Sequence, residues 1–456
     1  MSLYDELKKF RSKDRISFHI PGHKFGAGLS KGFKKDVFTI DVTEFDETDD
    51  LQNPEGILKT AQESASKAFK THKTFYLTNG SSLGLQGAIL GSFRSGDKVL
   101  VDRTCHKAVA SSMVMAGLIP VFVQPEFSEE KGLYVGMTVK IIKKAIEETP
   151  DIKGVIITSP TYYGICSDVK GIGEYLHQNN KVLIVDEAHG AHFVFNKLLP
   201  DSAIEQGADI SIESAHKTLP AMGQCSFLHI SKSSLVPWEN FSKSLRLLQT
   251  TSPSYVLMTS LDEAVIYMST KGAKRIGRLI CQIEKLKKEV RTKGVLDFAD
   301  KKTLKRPQDE LRLSVDFKKS GIDGNKAAEI LKEEYGIYPE MADDRYVVFV
   351  VTCSNSDKDI RLLKDALLTF EVGAENRKRN EKLPEVIMAT EPRIAWQSET
   401  EDIPVSKSVT RVAADVVAVC PPGAALLVPG QLIDQKTAEY IEKAGIIKKV
   451  TVVKNI

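Results

Sequence analysis

Lys217 follows His216 and stands three residues after Ser214 in "IESAHKTLPAMGQ", residues 212–224, where a short apolar run ends. A lysine in such a place, partly removed from water and near another cation, has a depressed pKa. The resulting amine is a nucleophile toward carbonyl carbon and forms Schiff bases. Asp186 ends another apolar run, "VLIVDEAHG". A carboxylate buried there needs a cation or a donor. "TNGSSLG" places Asn79, Gly80, Ser81 and Ser82 between a strand-like run and a helix-like one. Free backbone N–H groups and hydroxyls at a helix start make a cup for phosphate.

Each piece alone has a plainer reading. A lone lysine is usually solvated, Asp186 suits a helix cap, and "NGSS" suits a turn. Together, at run ends and in this order, an amine, an acid for a pyridinium nitrogen and a phosphate cup are what pyridoxal 5'-phosphate requires. "DEAHGAHF" also groups Asp186, His189 and His192. It lacks the companion ligands of a zinc site, so no metal is expected.

The elements that must position these residues alternate from about residue 60. "EGILKTAQESASKAFK" and "SLGLQGAILGSF" have helical spacing, whereas "TFYLTNG", "DKVLVDR", "IPVFVQ", "IKGVIITSP", "KVLIVDEAHG" and "DISIESAHK" read as strands. Continuous apolar runs separated by helices predict an α/β fold with a mainly parallel sheet covered on both faces, which binds ligands at the carboxyl ends of its strands. The long helical stretch from Ser254 leads to an α+β block that includes "LRLSVDF", "GNKAAEILKEEYG" and "RYVVFVVT". We expect an N-terminal arm over 1–55, a large cofactor-binding domain over 56–295 and a small α+β domain over 296–456, with a charged linker near 374–386.

The bulk numbers agree with a soluble enzyme: 456 residues, 42% hydrophobic and 27% charged, with a formal net charge of +3 from 63 basic and 60 acidic residues. So small and evenly spread a charge predicts neither nucleic acid nor a membrane surface as partner. No apolar run is long enough to span a bilayer, and no signal peptide is visible at the start. Six scattered cysteines without a C-x-x-C pair read as reduced thiols of a cytoplasmic protein.

The chain resembles the ornithine/lysine/arginine decarboxylase family, which has the aspartate-aminotransferase-like fold, in its short form without the extra N-terminal wing domain. The resemblance runs through "FHIPGHKFGAG", "TNGSSLG", "DRTCHKAV", "TSPTYYG", "VDEAHGAHF", "SAHKTLPAMGQ", "TTSPSY" and "CPPGAALLVPG". It implies decarboxylation of lysine, arginine or ornithine to an amine and carbon dioxide, as in polyamine metabolism. Lys217 would hold pyridoxal phosphate, Asp186 would pair with the ring nitrogen and His106 would stack on the ring. Ala188 and His189 would pack beside the cofactor, and Thr161 would reach its ring hydroxyl. Ser214 and His216 would lie on the phosphate side with Asn79, Gly80, Ser81 and Ser82. Lys217 or a nearby histidine would return a proton to the substrate. Thr251 and Ser252 would come from a neighbouring subunit, making a homodimer the minimum active unit.

Two departures and one open segment accompany the resemblance. Ala425 stands where the family has proline, and Gln431 where it has the glutamate that would contact the basic end of the substrate. Glutamine in place of that glutamate predicts weak activity on lysine, ornithine and arginine or a less cationic substrate. His19, His23 and Lys24 read as part of an exposed arm reaching toward the active-site mouth, with Asp46, Asp49 or Asp50 available to a basic side chain. Rival readings are aminotransferase or aldolase chemistry, with Arg393 as carboxylate anchor, and a weakly active or non-catalytic paralogue with a binding role.

Overall fold

The structure is a computed structural model that describes residues 2–12, 15–374, 380–419, 423–445 and 447–454. Five residues of the charged linker, 375–379, and the motif residues Cys420, Pro421 and Pro422 lie outside the described residues.

Seven strands lie side by side in the order Lys73–Leu77, Ser226–Ile230, Ile210–Glu213, Val182–Asp186, Gly154–Thr158, Lys98–Asp102, Ile119–Val123. Only Ser226–Ile230 runs against its neighbours; the other pairings are parallel. The apolar runs explain this. Side chains alternate between the faces of a strand. Ile156, Ile184, Ile210 and Ile212 join one buried cluster, with Leu83 and Ile89 of the helix Gly80–Ser92. Val155, Ile157, Leu183 and Val185 join the other, with Ile142 of the helix Val139–Glu148 and Ile172 of Val169–Gln178. With both faces covered, the exits at the carboxyl edge are where polar side chains collect.

The predicted long helical stretch is Tyr255–Tyr267, a π-helical turn Met268–Gly272, and Ala273–Lys293. It ends at Gly294, whose φ of +79° suits glycine. A four-stranded sheet follows, in which Arg312–Asp316 pairs antiparallel with Tyr346–Val350, backed by the helix Gly324–Tyr335. Beyond it, Thr400–Pro404 pairs with Lys449–Val453, and Val405, Leu426, Ile433, Ile441 and Val452 form a separate apolar cluster. This last stretch docks onto the large sheet through fully buried Arg103. Its guanidinium donates to the carbonyls of Ala425 (2.5 Å), Leu426 (3.0 Å) and Pro384 (2.8 Å).

The N-terminal segment departs from the expectation of an exposed arm. Ile16–Phe18 pairs in parallel with Ile337–Pro339, and Phe18 is fully buried. Lys24 is buried too, donating to the carbonyls of His19 (2.6 Å) and Val350 (3.0 Å). Burial pushes its amine down to about 7. The Gly22 N–H donates to the His216 carbonyl at 2.7 Å, and a Cβ on Gly22 would lie 2.4 Å from the Leu219 carbonyl oxygen. Residues 16–28 are therefore a wedge between the lysine loop and the small sheet. Asp49 is also committed elsewhere: its Oδ2 accepts from Gly56 N (2.8 Å) and Leu58 N (2.9 Å), capping the helix Ile57–Ala68. Asp50 accepts from Gln52 N (2.8 Å). Neither they nor Asp46 lines the cleft described next.

Candidate active site

Loops from five strand ends enclose a cleft of about 750 Å³. The strand Ile210–Glu213 gives way at Ser214 to the single helical turn Ala215–Thr218, which presents Lys217. Lys217 Nζ lies 3.1 Å from His189 Nε2. His189 follows the strand Val182–Asp186, and its Nδ1 lies 2.7 Å from Arg312 Nη2. Burial, then the charges of Lys217 and Arg312, hold the His189 pKa well below the ordinary histidine value. His216 is pushed down to about 4, chiefly by burial. Its Nδ1 lies 3.0 Å from the Cys225 carbonyl, an acceptor only, so this nitrogen carries the proton.

Asp186 is 4% exposed and its Oδ1 accepts from Ala188 N at 3.2 Å. Behind it Asp102 accepts from Thr104 N and Thr104 Oγ1, each at 2.7 Å, and from Thr158 N at 3.3 Å. Burial raises the Asp102 carboxyl, and the neighbouring Asp186 adds to the shift. Asp102 is satisfied by its own loop, whereas Asp186 faces the cleft with a single backbone donor. A cationic ring nitrogen would complete it.

At the helix Gly80–Ser92 the Ser81 hydroxyl lies 2.7 Å from Ser214 Oγ and 3.2 Å from Ser226 Oγ. Asn79 precedes the helix without a side-chain cap, which leaves the N–H groups of Ser81 and Ser82 in the first turn uncapped beside the cleft. Gly80, at φ +72°, donates to the Gln224 carbonyl and turns the chain into that helix. His106 caps the helix Lys107–Ala116, its Nδ1 accepting from Ala108 N at 3.2 Å. Gly423 packs on its ring: a Cβ there would lie 2.7 Å from His106 Cδ2.

Gly80, Ser81, Ser82, His106, Thr161, Asp186, Ala188, His189, Ser214, His216 and Lys217 thus line one cleft. Asn79 is exposed beside it, and Thr251 and Ser252 are exposed on the loop before the helix Tyr255–Tyr267, outside the cleft of their own chain. His192 turns away from His189 to Asp309 Oδ1 at 3.0 Å, so the two histidines serve different partners. Sequence reasoning passed over Arg312, Ser226 and Tyr162. Arg312 and Ser314 were visible as polar residues at alternate positions of an otherwise apolar strand. The Tyr162 ring packs against His189 at 5.0 Å.

Two expectations are corrected. Arg393 donates to the carbonyls of Val114 (3.0 Å) and Met115 at the end of the helix Lys107–Ala116, so it caps a helix and anchors no substrate carboxylate. Gln431 is fully buried away from the cleft, and its Oε1 accepts from Val428 N at 3.2 Å. It holds a turn, so the predicted weakening of substrate binding loses its structural basis. Ala425, the other departure, donates its N–H to the Cys105 carbonyl at 3.0 Å, a bond proline cannot make.

The fold is that of the aspartate-aminotransferase-like enzymes. The chain superposes with a TM-score of 0.77 on the Francisella novicida lysine decarboxylase LdcF, at 19% identity over 98% of this chain and 80% of that one. It superposes at 0.60 on an alanine–glyoxylate aminotransferase from Nostoc, at 15% identity over 78% and 95%. Within that fold the sequence is more specific. The profile of the Orn/Lys/Arg decarboxylase major domain matches residues 1–311. Arginine decarboxylases of Bacillus anthracis and Bacillus subtilis are 34% and 33% identical, each over 97% of this chain and 92% and 93% of their own lengths. The chain belongs to the Orn/Lys/Arg decarboxylase family.

A glutamate at position 431 would place a carboxylate in a fully buried turn. We expect Gln431→Glu to lower stability by roughly 1–3 kcal/mol near neutral pH and to leave kcat/KM for basic amino acids unchanged. Urea denaturation and steady-state kinetics check this; a several-fold rise in kcat/KM would restore the substrate-contact reading.

Proposed function

We propose that the chain removes the carboxylate of a basic amino acid, arginine first among the candidates, with pyridoxal phosphate held through Lys217. The observation that carries the reading is the placement of Lys217, Asp186 and the hydrogen-bonded Ser81 and Ser214 hydroxyls in one cleft at the carboxyl edge of the sheet. Bound there, the cofactor supplies an electron sink for the pair left behind when carbon dioxide departs. Asp186 would stabilise a protonated ring nitrogen, the Ser81 and Ser214 hydroxyls and the first turn of Gly80–Ser92 would hold the phosphate, and His106 would cover one ring face. Lys217 Nζ or His106 Nε2 then returns one proton to the α-carbon, which replaces the lost carboxylate and yields the amine. Arginine is favoured by the names of the two Bacillus relatives, with which the match is nearly end to end. Asp344 lines the same cleft and suits the cationic end of such a substrate; Asp343 and Glu381, also in its lining, pair with Tyr163 and Lys443.

The division into an arm over 1–55, a large domain over 56–295 and a small domain over 296–456 is part of this reading, as are a cytoplasmic location and a role in polyamine metabolism. Among the described residues no helix is long and apolar enough to cross a membrane. A homodimer with shared sites completes it. Thr251 and Ser252 lie near strongly exposed Leu247, and Gln52, in the same segment as exposed Phe38 and Phe45, donates to the Thr250 carbonyl. Such a surface fits a second copy of the chain whose cleft receives those hydroxyls.

Incubation with arginine, lysine or ornithine in the presence of pyridoxal phosphate should release carbon dioxide and amine in equal amounts, arginine giving the highest kcat/KM. A keto acid in place of carbon dioxide would replace decarboxylation by transamination. For the dimer, mixing inactive Lys217→Ala chains with inactive Thr251→Ala/Ser252→Ala chains should recover part of the activity; no recovery after verified subunit exchange would remove the cross-subunit role.

A further inference from the structure

Arg312 is 1% exposed, and its donor to His189 Nδ1 is its one hydrogen bond toward the cleft. Its Nε and Nη1 are buried without hydrogen-bond partners. The nearby carboxylate of Asp309 is already engaged by His192 Nε2 (3.0 Å) and Leu311 N (2.9 Å). The stem is clamped: Gly164, at φ +84°, leaves room where a Cβ would lie 2.6 Å from Arg312 Cβ. A buried guanidinium with two idle donors is unfavourable for stability alone. Its placement on the far nitrogen of the histidine that touches Lys217 gives it a use.

The chemistry of the three groups fixes the protons. A guanidinium has donors only, so His189 Nδ1 accepts. His189 is neutral: burial first, and the Arg312 charge with it, hold its pKa well below the ordinary histidine value whether or not Lys217 is charged. A neutral imidazole that accepts at Nδ1 carries its proton at Nε2, the atom 3.1 Å from Lys217 Nζ. An N–H aimed at that amine is accepted only by a nitrogen with a lone pair. An ammonium there would set two donors against each other, so its proton passes to water and the amine remains. The Arg312 charge acts in the same sense. Asp186, across the cleft, acts in the opposite sense, and the other titratable groups around the lysine, His106 and His216, are held toward the neutral form by burial.

We propose that Arg312 is a positioning residue that, by donating to His189 Nδ1, fixes the proton on Nε2 and holds Lys217 as the uncharged, nucleophilic amine. The inference rests on Lys217 being the reactive lysine of the proposed function, yet it concerns a property of the protein measurable without turnover. It also assigns His189 a fixed tautomer, which removes it as a proton shuttle and leaves that task to His106, or to Lys217 only after its amine has taken a proton from the incoming substrate's ammonium.

The test uses the full-length chain freed of cofactor. Competitive acetylation with acetic anhydride across a pH series, with Lys217 quantified by peptide mass spectrometry, gives the midpoint at which the amine becomes reactive. Arg312→Gln, which removes the charge and can accept as well as donate, should raise that midpoint by about one pH unit or more, a roughly tenfold loss of uncharged amine near neutrality. Arg312→Lys, still a donor only, should restore most of it. An unchanged midpoint in folded Arg312→Gln overturns the proposal. Should that variant fail to fold, ¹⁵N shifts of labelled histidine in the parent chain decide: a protonated Nε2 and bare Nδ1 at His189 are expected, and a protonated Nδ1 overturns it. Absent decarboxylation with a shifted midpoint would count against the function alone.

Discussion

Parallel pairing of Val182–Asp186 with Gly154–Thr158 on one side and Ile210–Glu213 on the other sets the site. The register places Asp186 opposite Thr158 and Ile212. It is held by β-branched side chains buried on both faces. A slip by one residue would turn every side chain to the opposite face, sending Asp186 away from the cleft and bringing Glu187 into it. Glu187 now points to the other side, accepting from Ala203 N (3.0 Å) and Ser211 Oγ (3.0 Å), and burial next to Glu213 raises its carboxyl well above the ordinary range. Two consecutive acids thus have opposite fates, one kept for a ligand and the other locked in the core.

The remaining parts brace what that register places. The N-terminal wedge binds the backbone of the lysine turn through Gly22 and the His216 carbonyl, and Ile20 N donates to Glu340 Oε2 at 2.8 Å. Glu340 also accepts from the Tyr162 hydroxyl, whose ring packs on His189. The C-terminal stretch, docked by Arg103, brings Gly423 against His106. Each wall of the cleft is therefore held by a segment distant in sequence, so the lysine, the acid and the histidines are positioned before any ligand arrives.

Six of the seven strands of the large sheet were legible because strands buried on both faces read as unbroken apolar runs, with Lys217, Asp186 and Ser81 among the polar residues that follow them; the antiparallel strand Ser226–Ile230 was not singled out. The small sheet and its helices were legible for the same reason of periodicity. Tertiary contacts were not. Lys24 reads as a surface lysine until the Val350 carbonyl, hundreds of residues away, takes its proton-bearing end. Arg393 reads as a carboxylate anchor until two helix-end carbonyls claim it, and Gln431 as a substrate contact until it turns inward to Val428. Arg312 escaped because its partner is another side chain and no local pattern marks that pairing.

The central claim is that the strand-end constellation is a pyridoxal phosphate cradle with Lys217 as its attachment point. Borohydride reduction of the protein loaded with cofactor, followed by peptide mapping, tests it most directly. The account predicts a single phosphopyridoxyl group, carried by the peptide that contains Lys217 and absent from Lys217→Ala. A stable modification on another lysine, or none on a correctly folded chain, would contradict it.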